Sequence, residues 1–331
     1  MILNLRKRWI LRSFVLAALI TAPFVLNTFR LGLLAEILIF GLAAASLSLL
    51  VGAGLPSLGH AAYFGLGGYA AGLASVHMTN SAWIGLLIAA GTGAVFALPC
   101  GWVSVRLTGM TFLMLSLAIA EIVFSVSQSW RSLTGGSDGL AGVGNVEVLP
   151  GLPLTSIPQR YYYVLAVFVV LYLALRRFVD SPVGWTLRGI HSNPERMSSM
   201  GYNVRMYRLL AYMVASVVGA IAGALDVQYA RFVSPDNLDF IVSALLLVMV
   251  LLGGSRHLHG ALIGAGVLVV LRQELSSAFD SWEMGLGIIL VLVIYLLPGG
   301  LAEIGARSSN LFKRSRTKEI VDTTRRHGVD N

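Results

Sequence analysis

The chain has 331 residues, of which 56% are hydrophobic and 12% charged, with a mean hydropathy of +0.78. A soluble protein this apolar could not cover its own surface, so composition excludes one and makes lipid the main solvent. The net charge of +8 would elsewhere raise nucleic acid as a partner, but in a membrane chain basic residues report orientation first.

About 20 consecutive apolar residues cross a bilayer as helix. Such windows fall at 12–29, 32–52, 57–76, 82–103, 107–127, 161–178, 208–229, 240–253, 260–276 and 283–298. They predict an all-α, polytopic transmembrane bundle of about ten spans in a single domain, residues 1–306. A β-barrel does not fit, because the runs are apolar on every side and carry Gly and Ala instead of alternating. The third window is Gly-rich and the eighth has a short apolar core; without both, the count is eight. The start, with basic residues ahead of Ser13 to Ala22, has the outline of a secretory signal. The apolar run continues past Pro23 with no good small-residue cleavage site after it, so it reads as a retained span. The single Cys100, inside the fourth window, allows no intramolecular disulfide and reads as a small core residue.

Arg6, Lys7, Arg8 and Arg12 precede the first span, and a basic tail, residues 307–331, follows the last. Both termini therefore belong in the cytoplasm, and the tail is expected to be flexible. With ten crossings the connections carrying Arg106, Arg176 to Arg208 and Arg256 also fall inside, which puts nineteen of the twenty-four basic residues on the cytoplasmic side. Five spans on each side of the long external connection would place the halves in opposite orientations, the geometry of inverted-repeat transporters.

Three connections stand out. In Gly52 to Gly72, glycines at 65, 68 and 72 put small residues on one helical face and permit close helix packing. Pro56 among Gly52, Gly54 and Gly59 points to a broken or re-entrant start, where Ser57, His60 and Tyr63 either face a polar cavity or pack in the bundle. An external loop, about 128–160, holds Thr134-Gly-Gly-Ser-Asp-Gly-Leu140 and shows no obvious structure; Gly136, Ser137 and Asp138 make either a surface turn or a gate or docking surface. The cytoplasmic stretch, about 179–208, frames a short helix between Asn193-Pro194 and Gly201, with Glu195 in its first turn. That helix is either an amphipathic link at the headgroups or a lever for a cytoplasmic motor.

None of the three lysines completes a phosphate-binding loop, so energy must come from elsewhere. A secondary transporter would couple to ions through carboxylates in the membrane. Glu36 and Asp226 lie near span ends, where solvation is expected; Glu274 does not face Arg272 on a helix. Glu121 is the deepest, and a hydrogen bond to a neighbouring helix is its expected role. His257 and His259, two residues apart with no nearby carboxylate, do not make a metal pair. Ser57 near His60 lacks the glycine of a nucleophile elbow. An enzyme is therefore not expected.

Ser-Leu-Gly-His at 57–60 with its Gly-rich span, Thr-Gly-Gly-Ser-Asp-Gly-Leu at 134–140, the Ser-Pro-x-Gly…Asn-x-Glu…Gly-x-Asn loop and Gly253-Gly254 occur in an order that resembles the permease subunits of branched-chain amino-acid ABC importers. The resemblance covers residues about 35–305; Leu55 and Ala261 stand where that family usually has Gln and Pro. It implies a multi-pass protein of the bacterial inner membrane that forms a solute path but holds no cofactor and hydrolyses no ATP. The implied partners are a homologous second permease, two ATPases that use the ATP and a periplasmic binding protein. The ATPase-coupling loop would then comprise Pro182, Gly184, Arg188, Asn193, Pro194, Glu195 and Gly201, with the coupling helix that docks on the ATPase at Asn193 to Gly201. Ser57, His60, Tyr63, Gly136, Ser137 and Asp138 would belong to the path or its gate. Urea and short-amide permeases share this architecture and an ion-coupled transporter is the alternative mechanism, so the solute stays open.

Overall fold

The structure is a computed structural model that describes residues 17–149, 151–254, 258–278 and 287. Residues 12–16 of the first window, the tenth window apart from Gly287, Arg256, His257 and the basic tail lie outside the described residues. Residues 17–25 are helical. Each window from the second to the ninth then coincides with a helix: α1 (Thr28–Gly52), α2 (His60–His77), α3 (Ala82–Ser104), α4 (Gly109–Ser129), α6 (Ile157–Val179), α9 (Val204–Ala230), α10 (Phe240–Gly253) and α11 (Leu258–Ala278). Short helices α5 (Arg131–Thr134), α7 (Pro182–Ser192) and α8 (Pro194–Ser199) lie in the connections. Among the described residues six helices are long and apolar enough to cross a bilayer: α1, α3, α4, α6, α9 and α11. Helix α2 has 18 residues and is Gly-rich, and α10 has 14; they are the two windows marked weak by sequence. The chain is an all-α multi-pass membrane protein.

Helix α9 is the axis of the bundle. Water cannot drive apolar helices together inside lipid, so van der Waals contact at close range must do so, and small residues permit it. A β-carbon at Gly67 of α2 would strike the Ala220 carbonyl of α9, and one at Gly223 would strike the Phe64 carbonyl. On the other flank, a β-carbon at Gly93 of α3 would stand 2.7 Å from the Ala220 methyl. The 65, 68 and 72 stripe behaves as its spacing predicts, lying against Leu238, Val227 and Val233. Helix α10 meets α11 through Gly253 against the Gly260 carbonyl and Gly264 against the Met249 carbonyl. Gln228 adds a polar tie: its side chain accepts from the Tyr163 hydroxyl of α6 at 2.6 Å and donates to the Ala82 carbonyl of α3 at 3.2 Å.

The connection between α4 and α6 departs from the expectation of a long structureless loop. It contains α5, a 3-10 turn at Gly136–Asp138 and a two-strand hairpin, β1 (Glu147–Leu149) with β2 (Leu152–Pro153). Its backbone is paired to the helix ends beneath it. Leu140 N–H donates to the Val233 carbonyl at 2.8 Å, Glu147 N–H to Asn80 at 2.8 Å, and the Trp83 indole to the Val148 carbonyl at 3.0 Å. Arg160 donates to the carbonyls of Leu154, Thr155 and Tyr229. Sequence periodicity could not show this, because the bonds to Asn80, Trp83, Tyr229 and Val233 join residues remote in the chain.

Replacing Gly223 with Val should overpack the α2–α9 contact and cost about 1–3 kcal/mol or more, seen as a lower melting temperature and loss of monodisperse protein in detergent. Gly91→Ala, where the added methyl meets nothing within 4 Å, should be neutral or slightly stabilising because Ala is the better helix former.

Candidate functional site

Between α1 and α2 the chain breaks at 53–59, and the break is closed by side chains. Leu58 N–H donates to Ser116 Oγ of α4 at 3.1 Å, Gly59 N–H to Ser57 Oγ at 3.1 Å, and Ala61 N–H to Ser243 Oγ of α10 at 2.9 Å. Backbone groups freed inside a membrane must be satisfied by protein, and serines from two other helices do so here. Ser57, His60 and Tyr63 are 2%, 0% and 2% exposed. His60 Nε2 lies 2.7 Å from Ser46 Oγ, which also bonds the Ala43 carbonyl at 2.7 Å. Among the described residues Nδ1 has no hydrogen-bond partner. The Tyr63 hydroxyl bonds that of Tyr212 at 2.8 Å, and its ring meets Phe96 and Tyr212 edge-on. All three side chains thus sit within packed helices.

Gly136, Ser137 and Asp138 sit in the connection after α4. Gly136 is buried over α4, with its N–H on Thr134 Oγ1, and Thr134 reaches back to the Ser127 carbonyl at 2.6 Å. Ser137 and Asp138 are exposed at the tip. The structure therefore does not bring the two predicted sets together: Leu58 and Gly59 lie against Ser116 in the middle of α4, and Gly136 lies over its Gln128 end.

Between α6 and α9 the chain forms two helices. The sequence reading framed only the second and missed α7, although Ser181-Pro182 is a cap followed by the first helical position. Helix α7 has an amphipathic pattern. Gly184, Leu187 and Ile190 are buried, whereas Trp185 is 65% exposed with the Arg188 guanidinium 4.5 Å over its ring. Arg188 also donates to the Val179 carbonyl at 2.8 Å and pairs with Asp180 at 3.9 Å, which fixes α7 to the end of α6. Asn193 caps α8 by accepting from Arg196 N–H at 2.9 Å, Glu195 stands in its first turn, and Gly201 has φ +87°. No residue of α8 is buried. Gly189 and Met197 pack α7 on α8, so the two form one hairpin.

This hairpin touches the broken segment. Gly54 has φ +79°, and a β-carbon there would stand 2.8 Å from His191 Nδ1 at the end of α7. Pro182 and Gly184 start α7 at the end of α6 where Arg188 ties it down, Asn193, Pro194 and Glu195 form the turn into α8, and Gly201 follows its end.

The carboxylates within the bundle differ. Glu36 pairs with Arg272 at 3.9 Å and Asp226 accepts from Asn237 at 3.1 Å, so both have protein partners where solvation was expected. Glu274 has a partner as well. Glu121 overturns its expectation: it is exposed on α4, with no hydrogen bond or ion pair among the described residues.

Residues 29–297 match the family described as "Branched-chain amino acid transport system / permease component". The high-affinity branched-chain amino acid permease protein LivM of Escherichia coli K12 is 26% identical over 318 residues, covering 88% of this chain and 74% of its own. The LivH permease protein of the same strain is 28% identical over 237 residues, covering 65% and 74%. A probable LivM of Methanocaldococcus jannaschii is 26% identical over 232 residues, 63% of each chain. No solved structure matches significantly.

Gly54→Ala should cost about 1–2 kcal/mol from its left-handed backbone alone and more from the imidazole beside it. The added His191→Ala should recover the second part but not the first. Thermal unfolding of the two single mutants and the double mutant measures the split, and Gly52→Ala, with open space around it, should be silent.

Proposed function

The chain belongs to the family of branched-chain amino acid transport permease components, membrane subunits of ATP-binding-cassette importers, and we propose that its solutes are branched-chain amino acids or similarly small polar molecules. It works beside a homologous second permease, two ATPases and an external binding protein in the bacterial inner membrane. The match to both LivM and LivH supports the pairing, since the two Escherichia coli proteins carry the name of the same transport system. The arginine-rich end of the bundle faces the cytoplasm, and the structured 130–160 cap faces the binding protein with Ser137 and Asp138 at its tip.

The observation that carries the reading is the α7–α8 hairpin. A passive connection at the headgroups needs neither two capped helices nor a second helix exposed on all but its Met197 side. A lever needs both, together with a stiff base, which the Arg188 contacts to Val179 and Asp180 supply. Movement of α8 then reaches α6 and α9 through the hairpin ends and reaches the broken segment through His191 on Gly54. Ser57, His60 and Tyr63 act here by holding the break between α1, α4, α9 and α10, so a shift of the lever changes the packing around them.

Glu195→Lys reverses charge at the exposed, positive end of a helix dipole, and Gly201→Val forces a β-branched residue into a left-handed conformation. Each should lower uptake and substrate-stimulated ATP hydrolysis together, by about tenfold if one docking contact of about 1.4 kcal/mol is lost, with normal membrane insertion. The control Glu319→Lys in the tail should be silent. Wild-type uptake in both loop variants would show that the motor docks elsewhere.

A further inference from the structure

Helix α4 is the least enclosed of the long helices: only Phe112, Ser116, Ala120 and Ser127 are buried, all towards one side. On the opposite side Thr111, Met114, Ala118, Glu121, Ser125 and Gln128 are all exposed, at steps of three and four that align them along one face. Glu121 is eight residues from the Ser129 end and twelve from Gly109, so about 12 Å and about 18 Å along the axis. That places a carboxylate well within a hydrocarbon layer of about 30 Å. Lipid tails offer it neither hydration nor a hydrogen-bond donor, and a charged group there is costly unless it faces protein or a wet cavity. Within this chain it has no partner among the described residues, in contrast to Glu36, Asp226 and Glu274.

We propose that this face of α4 lines the solute path against the second permease and that Glu121 binds the ammonium group of a zwitterionic amino acid there. The proposal rests on the importer reading above. An ion pair between subunits would account for a lone carboxylate, but not for the polar lane that joins it to the external end. Ser125 and Gln128 continue the face from Glu121 towards the Ser129 end, and an open depression beside them is lined by Ser125, Val126, Ser129 and Trp130. Inward from Glu121 the same face turns apolar and adaptable, with Ala118 and the flexible thioether of Met114, which is 66% exposed. A carboxylate above a methyl and a thioether complements an ammonium group attached to a branched aliphatic chain.

The test is ATP-driven leucine uptake by proteoliposomes that hold the complete importer, with Glu121→Gln, Glu121→Ala and Glu121→Asp. Loss of one charge-assisted contact predicts a fall of about tenfold or more for Gln and Ala. Asp should be intermediate, and the second permease should co-purify normally with all three. Wild-type uptake by Glu121→Gln overturns the proposal. Loss of the second permease from the purified Glu121→Gln complex also overturns it, in favour of an ion pair between subunits. Failure of the unmodified importer to take up any amino acid, while it takes up another small polar solute, overturns the amino-acid assignment and this proposal with it, and failure to take up any small solute defeats the importer reading itself.

Discussion

The near-contact of backbones between α9 and its two neighbours is the constraint on which the rest of the structure depends. Where Gly67 lies on the Ala220 carbonyl and Gly223 on the Phe64 carbonyl, there is no space for a side chain to lean aside. Such contacts are rigid, because the interacting atoms belong to the main chain and cannot change rotamer. The polar side chains of the inner bundle inherit that rigidity. His60 sits against Gly219, Tyr63 against Tyr212, and Gln228 ties α9 to α3 and α6.

A stiff axis divides the labour among the other elements. Motion that leaves the backbone contacts of α9 with α2 and α3 intact must be carried by parts that do not make them: the break at 53–59, the α7–α8 hairpin and α4, which meets α9 through the rings of Phe112 and Tyr212. These three are joined. His191 of the hairpin meets Gly54 of the break, and the break is satisfied in turn by Ser116 of α4 and Ser243 of α10. A displacement of the hairpin therefore has a short physical route to α4, whose outer face carries Glu121.

Much of the bundle was legible in the sequence because lipid demands long apolar helices and leaves little else to form. Windows two to nine each coincide with a helix, and the 65, 68 and 72 stripe packs as its spacing requires. Asn193-Pro194 and Gly201 announce α8 by local backbone chemistry alone; Ser181-Pro182 carries the same signal for α7, and it was missed. What stayed hidden depends on contacts remote in sequence. The order in the 130–160 segment comes from Asn80, Trp83 and Val233. The enclosure of Ser57, His60 and Tyr63 comes from α1, α4, α9 and α10, which no local pattern reveals. Glu121 had a legible depth but not a legible direction: its heptad-like spacing with Met114, Ala118, Ser125 and Gln128 identifies a face, and only the fold shows that this chain leaves it uncovered.

The central claim is that the solute path runs along the outer face of α4 and not through the packed helices around α9. In a Cys100→Ser background within the assembled importer, single cysteines at Ala118 and Ser125 on α4 and at Ser46 and Ser216 on the inner helices can be exposed to a membrane-impermeant thiol reagent. Only thiols in contact with water react at an appreciable rate. The account predicts labelling at 118 and 125 and protection at 46 and 216. Labelling at 46 and 216 with protection on α4 would contradict it and return the path to the interior of the bundle.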